Sequence, residues 1–358
     1  MDARRELQAR MAASPEAVGL KPLSFPFHAP ACDGSLVDVV PDSIKWLRMP
    51  LPMALDHINL YLVRDGAGWR MVDTGFDTRE TRALWEQILP GLDGPITGII
   101  STHHHGDHCG LAGWLTEKLR VPLYMSRAEY FAMRLFGEKS SLDSWEYKEY
   151  FSRAGLSTEQ LTQMAQAMKQ FHVDSPLARA YQRLRDGDSL VMGGREWQVR
   201  GGEGHSPEHC ALHCAELGVL LSGDQLLARI SPNVGVLPFE PEANPLKDWF
   251  TSLERIGKLP DDTLVLPAHE LPFYGLGRRA LELKQHHLGV LDRVLDLCRE
   301  LPDSIYGLSQ RLFTDRRSAL DDILAISETL AHLAYLLEQG RIARRLAPEG
   351  SYEYRVAA

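Results

Sequence analysis

Apolar and polar positions along the first two thirds of the chain alternate in short runs separated by turn residues. Ile58-Asn59-Leu60-Tyr61-Leu62-Val63 is a β-rich run closed by the turn Arg64-Asp65-Gly66, and Trp69-Arg70-Met71-Val72 follows at hairpin distance. Ile96–Ile100, Val121–Met125, Trp197–Arg200, Val219–Leu221 and Thr263–Leu266 predict further strands, with Gly/Pro/Asn/Asp clusters between them. Helical spacing intervenes at Thr78–Leu89 and Leu111–Leu119. Strands interleaved with helices predict a layered α/β fold.

Two stretches depart from that alternation. Between Ser126 and Asp186 the apolar positions fall at helical intervals: Tyr130, Phe131, Met133 and Phe136, then Leu161, Met164, Met168 and Phe171. They predict helices that pack an apolar stripe onto the sheet, or a lid whose Met and aromatic side chains adapt to an apolar substrate. From Arg278 onward, three amphipathic patterns (Arg278–Leu301, Ser304–Phe313 and Leu320–Gln339) precede a β-hairpin. Its strands are Arg341–Arg344 and Tyr352–Val356, with a turn at Pro348-Glu349-Gly350. Three helices and a two-stranded wing resemble a winged-helix domain. That tail carries twelve Lys/Arg against twelve Asp/Glu. A DNA reader would show a basic face, so packing or homodimerisation is the expected role.

Composition narrows the class. With 44% hydrophobic and 24% charged residues the chain is ordinary globular protein. No apolar run approaches the ~18 residues needed to cross a bilayer, and Met1–Leu20 lacks the apolar stretch of a secretory signal. Five cysteines, Cys32, Cys109, Cys210, Cys214 and Cys298, are an odd number with no framework spacing, so the expected setting is a reducing cytoplasm. A net charge of -9 disfavours nucleic acid as partner.

Chemistry concentrates in Ser101-Thr102-His103-His104-His105-Gly106-Asp107-His108-Cys109-Gly110, between a strand and a helix. Imidazole and carboxylate suit Zn, Fe or Mn. In extended chain His103, His105 and Asp107 point to one side while His104 points away, and His108 turns in at the helix start. Four candidate ligands within six residues are too many for one tetrahedral ion with an open position, which favours two ions. Further ligands are expected beyond the carboxyl ends of other strands. Gly204-His205, Ser222-Gly223-Asp224 and Pro267-Ala268-His269 occupy those places.

These blocks, together with Val72-Asp73-Thr74-Gly75, resemble the metallo-β-lactamase superfamily over about Pro41–Tyr274, in the family's order. The resemblance implies an αββα sandwich at 41–275 with a helical insertion at about 126–185, after an N-terminal extension at 1–40 and before a winged-helix-like domain at 276–358. It implies one divalent cation among His103, His105 and His205, a second among Asp107, His108 and His269, and Asp224 bridging both. Zinc is the first expectation, iron or manganese the next. Asp73 would orient a ligand imidazole, and His209 a loop of the site. His108 and Asp224 set the chain nearer the glyoxalase II, lactonase and nuclease branches than the true β-lactamases. His269 is followed by Glu270-Leu271-Pro272, where glyoxalase II has Glu-Tyr-Thr.

A water shared by two cations ionises near neutral pH. A metal-bound hydroxide would attack an ester, thioester or lactone carbonyl of a small acyl substrate, with Asp107 relaying the proton. An RNA endonuclease and a mononuclear iron persulfide dioxygenase share much of the motif set and stand as alternatives. His57, Arg229, Ser231, Asn233 and Tyr274 are candidates for the pocket rim, and Arg278 and Arg279 for meeting an anionic substrate. His286 and His287 are expected on a solvated helix face, and Cys109, Cys210 and Cys214 as small buried hydrophobes.

Overall fold

The computed structural model describes residues 19–137, 144–169, 176–315 and 318–357. These residues form two compact units. One comprises 19–137, 176–232 and 252–282; the other comprises 144–169, 233–251 and 283–357. Compactness therefore does not follow the linear division expected at residue 275: 144–169 and 233–251 group with the C-terminal residues.

The first unit is built on two sheets. Seven strands form the first in sequential order: β1 Val37–Val40, β2 Ile44–Pro50, β3 His57–Asp65, β4 Gly68–Val72, β5 Ile96–Ile100, β6 Leu123–Ser126 and β7 Gln182–Leu184. β1 to β4 pair antiparallel, and β4 to β7 parallel. The second sheet comprises β8 Ser189–Met192, β9 Arg195–Gly202, β10 His209–Cys214, β11 Val219–Gly223 and β12 Leu264–Pro267, in the order β12-β11-β10-β9-β8. The expected hairpin is present, with Tyr61 facing Val72 and Asp65 facing Gly68.

Alternation along β3 explains why both faces of the first sheet are apolar. Ile58, Leu60 and Leu62 join one core, whereas Tyr61 and Val63 join the other. The second of these cores lies between the sheets, where Trp46, Val72 and Ile100 meet Trp197, Val199, Leu212 and Leu221. On the far face, helices cover the sheet: α1 Arg79–Ile88, α2 Gly106–Cys109, α3 Ala112–Leu119 and α4 Arg127–Phe136. Thr78 caps α1 by accepting the Thr81 N–H at 3.0 Å, and the helix buries Thr81, Trp85 and Ile88 at i, i+4 and i+7. Tyr130 and Met133 of α4 pack onto the sheet as expected, but Phe131 is 59% exposed.

The second unit contains α5 Trp145–Arg153, α6 Thr158–Lys169 and residues 245–251 of α7 Pro245–Ile256. It also holds residues 283–300 of α8 Leu276–Glu300, then β13 Asp303–Ser304, α9 Ile305–Leu312, α10 Ala319–Glu338, β14 Ile342–Leu346 and β15 Tyr352–Val356. The tail thus has the expected three helices and hairpin, and β13 adds a third strand beside β15. Met164 is buried; Phe171 and the side chain of Met168 lie outside the described residues. His286 is exposed as expected, but His287 is buried, because α8 presents it toward His332 of α10. Among the described residues no helix is long and apolar enough to cross a membrane.

Candidate metal centre

Strand ends determine where the ligating side chains lie. β4, β5, β9, β11 and β12 each end at a loop carrying Asp73, His103–His108, His205, Asp224 or His269. Backbone hydrogen bonds stitch these ends together. Asp73 N–H donates to Ile100 O at 2.8 Å, Cys210 N–H to Thr102 O at 2.9 Å, and Ala268 N–H to Gly223 O at 3.1 Å. The two sheets therefore meet at the loops that carry the site.

Two groups of donors result. His103, His105, His205 and Asp224 each offer one ligand atom, all within 4.8 Å of one another, and Asp107, His108 and His269 form a second such group. His103 Nε2 lies 2.8 Å from His105 Nδ1 and 3.3 Å from His205 Nε2. The Asp224 carboxylate lies between the groups: Oδ2 is 3.3 Å from His205 Nε2, and Oδ1 is 3.5 Å from His108 Nε2 and 3.4 Å from His269 Nε2. Asp107 Oδ2 is 3.4 Å from His269 Nε2. All seven side chains named from the sequence are brought together.

The atoms fit divalent cations. His108 Nε2 and Asp224 Oδ1 are buried without a hydrogen-bond partner among the described residues, a costly arrangement unless another group satisfies them. Ring nitrogens of three imidazoles converge at His103, and a cation accepts their lone pairs together. Burial pushes His103 and His105 well below the usual imidazole range, aided by the neighbouring rings, so both are neutral donors. Burial works to raise the Asp224 carboxyl, yet the His269 and His108 imidazoles outweigh it and hold it well below its ordinary value. Against burial, Asp107, Asp224 and Asp73 push His108 well up, so the second group attracts positive charge.

Surrounding hydrogen bonds orient the rings. Asp73 takes Thr102 N–H at 2.8 Å on Oδ1 and faces His108 Nδ1 at 2.8 Å with Oδ2. It holds that pose at φ 60, a left-handed backbone that non-glycine residues rarely adopt. His269 Nδ1 donates to His57 O at 2.9 Å. His209 Nε2 accepts the Asp224 N–H at 3.2 Å, with burial pushing the ring down to about 3 and leaving it a neutral acceptor. Gly223 permits this approach: at φ +51, a Cβ there would lie 2.5 Å from His209 Nε2.

Several of these partners escape sequence reasoning. Glu129 on α4 is fully buried; Oε2 accepts the His104 N–H at 2.9 Å and meets His104 Nδ1 at 2.6 Å, while Oε1 accepts Ser206 O–H at 2.6 Å and Glu208 N–H at 2.7 Å. One carboxylate thus joins the His103–His105 loop to the loop carrying His205. His104 points away from the metal groups, as expected, and stacks on Phe136 at 5.1 Å. Glu270, at φ +69, receives Arg48 Nη2 at 2.5 Å and Asn59 Nδ2 at 3.0 Å on its carbonyl, fixing the chain after His269. Cys109, Cys210 and Cys214 are buried and free, and Cys109 S–H donates to His104 O at 3.0 Å.

The candidate rim residues are mostly committed elsewhere. His57 donates from Nδ1 to Asp56 at 2.7 Å and accepts the Glu270 N–H on Nε2 at 3.0 Å, so it serves the site through its carbonyl. Arg229 N–H donates to Glu270 Oε2 at 2.6 Å, and its guanidinium lies 5.0 Å over Phe25. Asn233 belongs to the second unit, where its amide donates to Leu324 O and Glu328 Oε2. Arg279 donates to Leu227 O and Ile230 O, which makes it a loop clamp rather than an anion receiver, and Arg278 pairs with Glu282. Tyr274, 36% exposed, bonds through its backbone to Ser24.

Residues 54–269 match the family model described as metallo-beta-lactamase superfamily. The chain belongs to the metallo-β-lactamase superfamily. Residues 291–357 match a metallo-beta-lactamase-like C-terminal domain. A beta-lactamase domain protein from Burkholderia ambifaria shares 40% identity over 94% of this chain and 98% of its own, with a TM-score of 0.85. A probable metallo-hydrolase, YqjP of Bacillus subtilis, is 27% identical over 81% of this chain and 91% of its own. More distant is an acyl-coenzyme A thioesterase, MBLAC2 of Gallus gallus, 26% identical over 63% of this chain and 77% of its own. The chain is therefore a metallo-hydrolase of this superfamily, with His/Asp clusters that fit a metal site.

Proposed function

We propose that the two donor groups hold a pair of divalent cations, zinc foremost, and that the protein hydrolyses a carboxylic thioester or ester. The convergence of seven donors into two adjoining groups, with Asp224 between them, supports this reading over a mononuclear iron centre. When bound, two such cations supply Lewis acidity, lowering the pKa of water and stabilising the oxyanion that develops at an attacked carbonyl.

The chain's own residues supply the rest. His103, His105 and His205 offer ring nitrogens to one cation, and Asp107, His108 and His269 face the other. Asp107 is the more open of the two carboxylates, 18% exposed against 10% for Asp224. Burial opposes its ionisation, but His108 and His269 hold its pKa below the ordinary carboxylate value, so near neutral pH it is ionised and offers an accepting oxygen through which a proton can be relayed. Asp73 and the His57 carbonyl keep the His108 and His269 rings from turning. The name of the Gallus gallus relative favours an acyl thioester as the first substrate to try.

The test is turnover of a panel of acyl thioesters, esters, lactones and single-stranded RNA by zinc-replete protein. Thioester or ester cleavage that falls 10²–10⁴-fold in Asp107→Asn, an order-of-magnitude expectation for a lost proton-transfer group, supports the reading. RNA cleavage, or no turnover of any acyl substrate by the metal-replete protein, overturns it.

A further inference from the structure

The second unit holds a cluster of ligating side chains that takes no part in that chemistry. His286 and His287 of α8 and Glu328 of α10 each offer one ligand atom, and the three atoms lie within 4.8 Å of one another. We propose that His286, His287 and Glu328 bind a further divalent cation, zinc by donor chemistry, which clips α8 to α10.

Hydrogen bonding prepares the His287 ring for this role. His332 Nδ1 lies 2.7 Å from the backbone carbonyl of Glu328, which can only accept, so Nδ1 carries the proton and Nε2 is bare. His287 Nδ1 sits 3.2 Å from that bare Nε2 and must donate to it. The proton of His287 is therefore on Nδ1, and its Nε2 presents a lone pair. A ring whose far N–H is committed to a neighbour is the arrangement that orients metal-binding histidines. Burial keeps both imidazoles neutral, pushing His287 down to about 2 and His332 to about 4.

Glu328 supplies the charge. Its Oε2 accepts from Asn233 Nδ2 at 2.9 Å, an uncharged partner that fixes the plane of the carboxylate. Burial pushes its carboxyl up to about 7, the mark of a carboxylate short of positive charge. Two imidazoles and one carboxylate form a donor set that zinc commonly takes, with water completing the shell. Tetrahedral zinc spaces its donors roughly 3.3 Å apart, and the three atoms here lie within 4.8 Å of one another. His286, being exposed, leaves the ion a route from solvent.

The experiment compares zinc content per chain, by elemental analysis after reconstitution and desalting, in the full-length protein and in His286→Ala and Glu328→Gln. Truncating an exposed histidine spares the core, and glutamine keeps the shape of Glu328, so unchanged circular dichroism is expected in both. Each variant should hold one equivalent less than the parent and lose part of the zinc-dependent rise in Tm. Parental zinc content in both variants overturns the proposal. Because the readout is a difference of one equivalent, it holds whether the His103–His269 centre carries two ions, one or none.

Discussion

Replacing Glu129 by Gln keeps the side chain's shape and removes its charge at a point where four hydrogen bonds meet. The carboxylate accepts from His104 N–H, Ser206 O–H and Glu208 N–H and pairs with His104 Nδ1. An amide offers one accepting oxygen and one donating NH₂. If the oxygen faces His104, the Ser206 hydroxyl can rotate to accept, but the Glu208 N–H has no acceptor left. An unsatisfied buried N–H costs about 1–3 kcal/mol, before counting the lost charge opposite His104.

The depressed pKa of this carboxylate gives a second figure for the same set of contacts. Burial alone would raise the Glu129 carboxyl, but His104 and its hydrogen bonds outweigh that and hold it at about 2, against an ordinary 4.5. At ~1.36 kcal/mol per unit this corresponds to about 3 kcal/mol. Since the folded pKa is depressed, the contribution is present in full above pH 4.5 and is lost as the pH falls toward 2. Urea unfolding followed by tryptophan fluorescence reads it, because Trp46, Trp69, Trp85 and Trp197 are all fully buried in the same unit. Glu129→Gln should lose about 3 kcal/mol at pH 7, and the gap between parent and variant should close below pH 4.5. A gap under ~0.5 kcal/mol at pH 7, the size of an ordinary surface substitution, would refute the reasoning.

Asp73→Asn leaves the fold in place but weakens the hold on His108 Nδ1 and Thr102, so zinc affinity measured by chelator competition should fall 10–100-fold, an order-of-magnitude expectation; unchanged affinity would show that His108 needs no such support. Gly223→Ala places a Cβ 2.5 Å from His209 Nε2 at φ +51. It should cost about 1–3 kcal/mol in urea unfolding and also weaken zinc binding through Asp224, whereas a neutral substitution would mean that His209 does not set the position of that carboxylate.

Much of this architecture can be read along the chain. Ile96–Ile100 spans the strand it predicts, and Thr78, an N-cap residue type, marks the start of α1. His103 and His105 share one donor group and His104 takes the opposite direction, as the alternation assigns, whereas Asp107 lies inside α2, not on extended chain, and joins His108 in the other group. Glu129 is harder to read. Ser126-Arg127-Ala128-Glu129 has the spacing of a capping box, in which the glutamate would turn back to its own helix start. Ser126 does cap, accepting Glu129 N–H at 3.3 Å, but the carboxylate leaves the helix for two distant loops. That choice depends on tertiary neighbours 25 and 77 residues away, which local pattern does not encode. The role of His57 is hidden for another reason: it acts through a backbone carbonyl, which every residue has. Helical periodicity likewise assigns 126–185 to helices without saying that α4 belongs to one compact unit and α5 and α6 to another.

The most direct measurement is anomalous diffraction from crystals of zinc-replete protein, collected at the zinc edge. Two strong peaks about 3.5–4 Å apart are expected, one among His103, His105 and His205, the other among Asp107, His108 and His269, with the Asp224 carboxylate between them. A single peak, or two peaks that leave either His269 or Asp224 outside bonding distance, would contradict a paired-cation hydrolase.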